Sequence, residues 1–326
     1  LRGGAGAVIP FRRRRRAAGR PAPAVPAPRP PALAEVMRQV RRVELRTRGL
    51  VASRFSGEYH SVFKGQGIEF VEVREYLPGD DVRTIDWNVS ARTGGVFVKK
   101  YVEERELTVL LAVDLSGSQR FATRGRFKAE LAAEVAATLA MSAVRNNDRV
   151  GLLVFTDRVE AFVPPRKGRR HVLRIIRDLL AFRPAGLGTD LPAALAYAAR
   201  LLRSRSIVFL LSDFQGSDAQ ALERTLGVAS RQHDVVPVSL TDPADLELPD
   251  AGLVRLLDPE SGRTLLVDSG DDDVRARYAA AVAGQRAVLR RLFRRLGLDE
   301  IELRTDQPVA NAVLSFFRRR ERRLRR

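Results

Sequence analysis

The sequence predicts an α/β fold: three layers around a mostly parallel central sheet, preceded by a small β-rich unit. Three observations lead there. Between residues 107 and 240, continuous apolar runs alternate with stretches long enough to be helical crossovers. The runs lack polar alternation, as expected of strands buried on both faces. Oxygen-bearing side chains cluster directly after those runs, where open parallel sheets place their functional groups.

Taken in order, residues 1–36 are almost all Arg, Pro, Ala and Gly, and "RPAPAVPAPRPPA" reads as an extended or disordered segment. Met37 stands before the amphipathic "MRQVRRVELRTRGLV", so residues 1–36 are expected to be an upstream extension with the native start near Met37. The next unit, 37–106, is expected to be that helix plus a β-rich lead-in. Its segment 55–101 has short alternating runs ("IEFVEVREY", "GVFVKKY") between Gly, Asp and Asn turns, and carries the single tryptophan, Trp87. "GQG" at 65–67 has neither the dinucleotide spacing nor the following Lys-Ser/Thr of a phosphate loop.

The strands of the main domain, 107–317, are "LTVLLAVD" (107–114), "RVGLLVFTD" (149–157), "SIVFLLSD" (206–213) and "DVVPVSL" (234–240). Helices are predicted over 126–147, 169–183, 191–204 and 217–232. "RVEAFVPP" (158–165) follows its strand too closely for a crossover, so it reads as an antiparallel hairpin partner. The remainder offers two short strands ("LVRLLD", "RTLLVD"), a helix over about 272–296, the strand "EIELR" and a last helix from Pro308. Phe155, Phe162 and Phe182 fall on apolar elements and are expected in the core. Residues 318–326 read as a basic tail.

Composition narrows the function classes. With 45% apolar residues in 326, the chain can bury a sizeable core. The absence of cysteine excludes disulfides, thiolate metal sites and a cysteine nucleophile, and three histidines (His60, His171, His233) are poor material for a zinc cluster. The net charge of +18 lies in the ends. Residues 1–42 hold eleven arginines against one glutamate and residues 318–326 hold seven against one, leaving only +2 for the 275 residues between. The body is therefore nearly neutral, and the tails read as solvated, with nucleic-acid binding or peripheral contact with an anionic membrane as their alternatives. No run reaches the ~18 apolar residues of a membrane span, and no secretory h-region is present, so a cytoplasmic protein is expected.

The chemistry concentrates in three loops. The first strand ends in Asp114 and continues with Ser116 and Ser118, oxygen donors on alternate residues. "GLGTD" offers Thr189 and Asp190, and "LLSDF" offers Ser212 and Asp213. The fold delivers all three to one sheet edge. Hydroxyls with few carboxylates, and neither His nor Cys, suit a hard cation that keeps several waters; Mg²⁺ usually takes only one or two protein carboxylates. Such an ion stays weakly neutralised and is completed by an acidic group from elsewhere.

"DLSGS", "GTD" and "LLSDF" resemble the metal-ion-dependent adhesion site of von Willebrand factor type A domains. The resemblance implies a Mg²⁺ (or Mn²⁺) site in which Ser116 and Ser118 coordinate directly, Thr189 directly or through water, and Asp114 and Asp213 largely through water. The block "FSGEYHSVFKGQGIEFVEVREYLPGDDVRTIDWNVSARTG" followed by "VKKYVEERELTVLLAVDLSGS" is similar to the bacterial domain-of-unknown-function-58 family, over about residues 41–317. That family implies a type A-like domain and, as partner, an AAA+ ATPase of the MoxR group. Phe214 stands where many type A domains carry Gly, and its bulk is expected to narrow the ion's upper face.

Plainer roles compete at each position. A Ser or Asp after a strand is often only a cap or Asx-turn, and Thr189 and Asp190 both precede a helix with Pro192 in its first turn. "PGDDVRTIDW" (78–87) gathers Asp80, Asp81 and Asp86, which a metal nuclease would want. It is turn grammar first, with Arg74, Arg83 and Arg92 to neutralise it, so a structural loop is expected. His60 and Lys64 form an acid/base pair only on paper. His171, among Arg169, Arg170 and Arg174, reads as an exposed basic patch. The sequence thus points to a non-enzymatic interaction module docking an acidic partner group. The competing class is a metal-dependent phosphoesterase at the same loops, for which no base or nucleophile is evident.

Overall fold

The computed structural model describes residues 33–50, 58–59, 62–63, 68–103, 106–120, 126–216, 218–260 and 262–324. Most of the Arg/Pro-rich segment, His60 and Lys64 lie outside them. The first helix, α1 (Leu33–Leu50), begins four residues before Met37, inside the stretch expected to be extended.

The central sheet has six strands: β3 (Thr108–Asp114), β4 (Arg149–Phe155), β5 (Val159–Arg166), β6 (Ile207–Ser212), β7 (Asp234–Thr241) and β10 (Ile301–Arg304). Their order is β10-β7-β6-β3-β4-β5, parallel throughout except for β5, which turns back antiparallel on β4 as its short connection demands. The strand order reverses between β3 and β6, and the crevice beyond the carboxyl ends of such a pair is where open α/β sheets bind ligands.

Alternate residues of each strand feed two cores. Val109, Leu111 and Val113 of β3 face one helical layer, built from α1, α3 (Lys128–Arg145), α4 (Arg169–Ala181) and α9 (Val309–Leu324). Leu110 and Ala112 face the other, built from α5 (Leu191–Leu201), α6 (Ala219–Gln232) and α8 (Asp272–Arg295), with the short α7 (Pro243–Leu246) following β7. Strands apolar on both faces need helices on both faces, and the third layer follows. Phe155 is buried, and Phe162 and Phe182 are packed at the margins of the two cores.

The 55–101 segment departs from a uniform β reading. Among its described residues only β1 (Ile68–Glu75) and β2 (Phe97–Glu103) form a ladder, with α2 (Trp87–Thr93) between them. Tyr59, Val62 and Phe63 are buried in the main core, where the Phe63 ring meets Phe209 edge-on at 5.9 Å and Phe317 at 6.1 Å. Their spacing places three apolar groups on one helical face, which alternating strands do not do. "PGDDVRTIDW" is structural, as its turn grammar predicts. Arg74 clamps Asp80 with bonds of 2.7 and 2.9 Å and holds that carboxyl below its ordinary pKa, while Asp81 caps a 3₁₀ turn and Asp86 caps α2.

The expected basic tail is a correction. Helix α9 runs on to Leu324 because Arg320, one turn past Phe316, lies on the same buried face. Its guanidinium stands 4.8 Å over the Phe63 ring and pairs with Asp234, while Arg318 reaches Glu58 and Arg323 reaches Asp299. The patch around His171 is exposed at Arg169, Arg170 and Arg174, as expected; within it Arg169 pairs with Glu44 of α1, and the half-buried His171 places its Nε2 2.9 Å from the Val150 carbonyl. Among the described residues no helix is long and apolar enough to cross a membrane.

Candidate metal centre

Strand β3 delivers Asp114 to the sheet edge with no solvent exposure. Its Oδ1 accepts the Ser116 N–H at 2.8 Å, and its Oδ2 accepts the Ser212 hydroxyl at 2.7 Å. Ser212 ends β6, so this clamp spans the two strands between which the sheet order reverses. The loop then turns through a 3₁₀ segment that leaves the Ser116 and Ser118 hydroxyls 3.1 Å apart.

The second loop is stitched to the first: the Gly117 N–H donates to the Leu187 carbonyl at 2.7 Å. Asp190 is the cap residue, accepting from the Ala193 N–H at 2.9 Å, which frees the Thr189 hydroxyl. Thr189 donates instead to Glu260 Oε1 at 3.0 Å. Glu260 lies in the turn between β8 (Leu253–Leu257) and β9 (Thr264–Asp268), a separate two-stranded ladder.

In the third loop, Asp213 Oδ2 accepts from the Lys128 ammonium at 2.8 Å. Lys128 also donates to Asp245 at 2.9 Å, and Asp245 Oδ2 takes the Asp242 N–H as well. Phe214 corrects the expectation of a narrowed upper face. At φ 57° it occupies the left-handed region, and its ring packs into the second core against Phe293 at 5.3 Å.

Charge and burial set the electrostatics. Burial pushes the Asp114 carboxyl up to about 7 and the charge of Asp213 adds to it, against the bonds from Ser212 and Ser116. Glu260 is raised by burial, with the charges of Asp213 and Asp258 adding and the Thr189 bond opposing. For Lys128, burial favours the neutral amine, but Asp213 and Asp245 outweigh it and hold the pKa above its ordinary value. Among the described residues no three His, Cys, Asp or Glu side chains form a cation-binding group, so an ion here would rest mainly on hydroxyls.

Three of the five sequence-predicted positions, Asp114, Ser116 and Ser118, thus share one loop. Thr189 is tied to it through the Gly117–Leu187 bond, and Asp213 directly follows Ser212. Sequence reasoning missed Lys128, Asp245 and Glu260. Lys128 did leave a signal: a cation in the first turn of a helix opposes the helix dipole and calls for acidic neighbours. Glu260 left none beyond turn grammar.

Residues 72–288 match a family model described as "Protein of unknown function DUF58". The chain belongs to the DUF58 family. This DUF58 chain is 34% identical over 285 residues to uncharacterised proteins of Mycobacterium tuberculosis and Mycobacterium bovis, spanning 87% of its own length and 89% of theirs. Among solved structures, an aerotolerance-related membrane protein from Bacteroides fragilis aligns with 67% of the DUF58 chain and 99% of its own, at TM-score 0.44 and 16% identity. A von Willebrand factor type A protein from Catenulispora acidiphila aligns with 69% of the DUF58 chain and 43% of its own, at TM-score 0.37 and 12% identity. The DUF58 domain builds three layers on a mostly parallel six-stranded sheet.

The donor chemistry fits a hard cation. A buried carboxylate whose oxygens are already oriented, two hydroxyls in mutual contact and a third freed from capping present neutral and anionic oxygen with no soft ligand.

Proposed function

We propose that this DUF58 chain is a non-enzymatic docking module whose strand-end loops hold Mg²⁺ (or Mn²⁺) and through it bind an acidic group of a partner protein. The observation that carries this is the Asp114 clamp: a carboxylate without solvent exposure, fixed by Ser116 and Ser212, beside two hydroxyls 3.1 Å apart. Ser116, Ser118 and Thr189 would hold the ion through hydroxyl oxygen, and Asp114 and Asp213 chiefly through water. When bound, the ion supplies positive charge that these few anions leave incompletely neutralised.

The chain's own groups orient rather than react. Asp114 fixes the Ser116 loop, and Lys128 fixes Asp213 and Asp245. Both described histidines lie at the far edge of the sheet, His171 against Val150 at the start of β4 and His233 just before β7. That distribution favours binding over acid–base chemistry.

The partner we infer is a MoxR-type AAA+ ATPase, or a client brought to one, which the family resemblance implies. The role would then be assembly or maturation of protein complexes, in the cytoplasm where such an ATPase works. The test is affinity for the MoxR-type ATPase of the same genome, measured in Mg²⁺, in EDTA and with Asp114→Ala. Loss of binding in both perturbed cases is expected. Undiminished affinity in both removes the metal from the mechanism.

A further inference from the structure

One segment outside the three candidate loops touches all of them: the turn joining β8 to β9. Glu260 Oε1 accepts from Thr189 at 3.0 Å. Glu260 Oε2 lies 3.3 Å from where a Cβ on Gly216 would stand, in the loop that follows Asp213. The Pro259 carbonyl lies 2.6 Å from where a Cβ on Gly117 would stand, between Ser116 and Ser118. Such an approach to backbone admits only glycine, so the loop and the turn are fitted to each other.

The described residues of the turn are hydrogen-bonded to one another. Asp258 Oδ1 accepts the Glu260 N–H at 3.0 Å, the Gly262 N–H donates to the Asp258 carbonyl at 2.9 Å, and the Asp258 N–H donates to the Arg263 carbonyl at 2.8 Å. The stem is weaker. It forms no ladder with the central sheet, and one of its faces exposes Leu253, Leu257 and Leu266. A two-stranded hairpin alone is marginal in water, so its tip contacts help to fix its position. Those contacts place the Glu260 carboxylate beside Thr189 and the loop that follows Asp213. Lys128 already compensates Asp213 and Asp245, whereas Glu260 makes no ion pair among the described residues, so seating it here is unfavourable unless a further cation joins it.

We propose that Glu260 is the site's own acidic ligand. The β8–β9 turn seats its carboxylate at the hydroxyl cluster, where an acidic partner group must bind, and docking in trans requires the turn to lift. The inference rests on the metal-dependent docking reading above.

The test uses the full chain as wild type, Glu260→Ala, Glu260→Gln and Ser116→Ala. Mn²⁺ is titrated and followed by water-proton relaxation, with and without sodium acetate as a free carboxylate. With Glu260 on the ion, both Glu260 variants should bind Mn²⁺ about tenfold or more weakly, since even indirect ligand partners are worth that much. Their bound Mn²⁺ should relax water faster, having gained an exchangeable water in place of the carboxylate. Acetate should reverse that gain in Glu260→Ala and leave the wild type unchanged. Equal affinity, relaxivity and acetate response in wild type and both Glu260 variants overturn the proposal, and the metal reading survives if Ser116→Ala alone loses Mn²⁺. A wild type that binds no Mn²⁺, or no better than Ser116→Ala, removes the metal reading and this proposal together. Thermal unfolding of each variant separates loss of ligand from loss of fold.

Discussion

Lys128 donates to Asp213 at 2.8 Å, and their side chains are only 1% and 2% exposed. A second bond of 2.9 Å to Asp245 makes the ammonium a bridge between the loop after β6 and the turn after β7. Removing one partner of a buried ion pair leaves charge without compensation, which typically costs about 3–5 kcal/mol. Lys128→Met is therefore expected to lower unfolding free energy by about that amount in urea titrations. Because the damage is the unpaired carboxylates, Lys128→Met with Asp213→Asn should cost clearly less than the sum of the single changes. Additive losses would mean that the bridge is not the source of the effect.

Phe214 stores a second measurable feature. Its φ of 57° is unfavourable for a residue with a Cβ, by roughly 1–2 kcal/mol. The ring is retained for its packing on Phe293, and the Phe214 N–H donates to Ser212 at 3.0 Å. Truncation at a buried Phe typically costs about 3–5 kcal/mol. Phe214→Gly and Phe214→Ala should both destabilise, but the glycine variant should melt at the higher temperature. At an ordinary backbone position the order is the reverse.

What the sequence made legible follows from locality. Strands without polar alternation, crossovers of helical length and oxygens placed directly after apolar runs are properties of neighbouring residues, and each led to the right element. The antiparallel turn of β5 was legible for the same reason, from a connection too short to cross over. The need of Lys128 for acidic neighbours was legible, but not their identity, because they lie 85 and 117 residues away. Glu260 sits in a turn whose local pattern says nothing about where the turn points. Tyr59, Val62 and Phe63 carry helical spacing inside a stretch of Gly-separated alternating runs, and the alternation dominated. Arg320 looked like one more charge in a run, although its position one turn past Phe316 places it on the buried face.

Acidity offers a third test, at Asp148. It is 1% exposed, its Oδ1 accepts the Leu107 N–H at 2.9 Å and its Oδ2 accepts the Tyr59 hydroxyl at 3.0 Å. Burial pushes its carboxyl up to about 6, against both hydrogen bonds. The folded chain therefore holds this proton more tightly than the unfolded chain, whose Asp titrates near ~3.9. The contribution of Asp148 to stability is greatest below pH ~4, falls as pH rises to about 6, and is level above that. Asp114 adds the same sign up to about 7, so the difference between wild type and Asp148→Asn isolates Asp148. Between pH 4 and 6 the wild type should lose about 2–3 kcal/mol relative to the variant. Parallel stability–pH curves would exclude Asp148 as the titrating group.

The carboxyl-terminal helix supplies the last prediction. Its arginines resemble a solvated basic tail in composition, yet Arg320 is buried, pairs with Asp234 at the start of β7, and stacks over Phe63. Asp299 stands 3.8 Å from the same guanidinium. Removing Arg320 leaves a carboxylate at the lower end of the sheet without its main cation and uncovers an aromatic ring from the core. Arg320→Ala should destabilise by about 3 kcal/mol or more, as expected for a broken buried pair. Arg320→Lys should fall between, because an ammonium keeps the charge but neither the planar stack nor the fork of donors. Arg322, exposed on the opposite face, serves as the control, and Arg322→Ala should change stability by less than about 0.5 kcal/mol. Deleting residues 318–326 should then reproduce the loss seen with Arg320→Ala, and a truncated chain that melts like the full one would return the segment to the status of a tail.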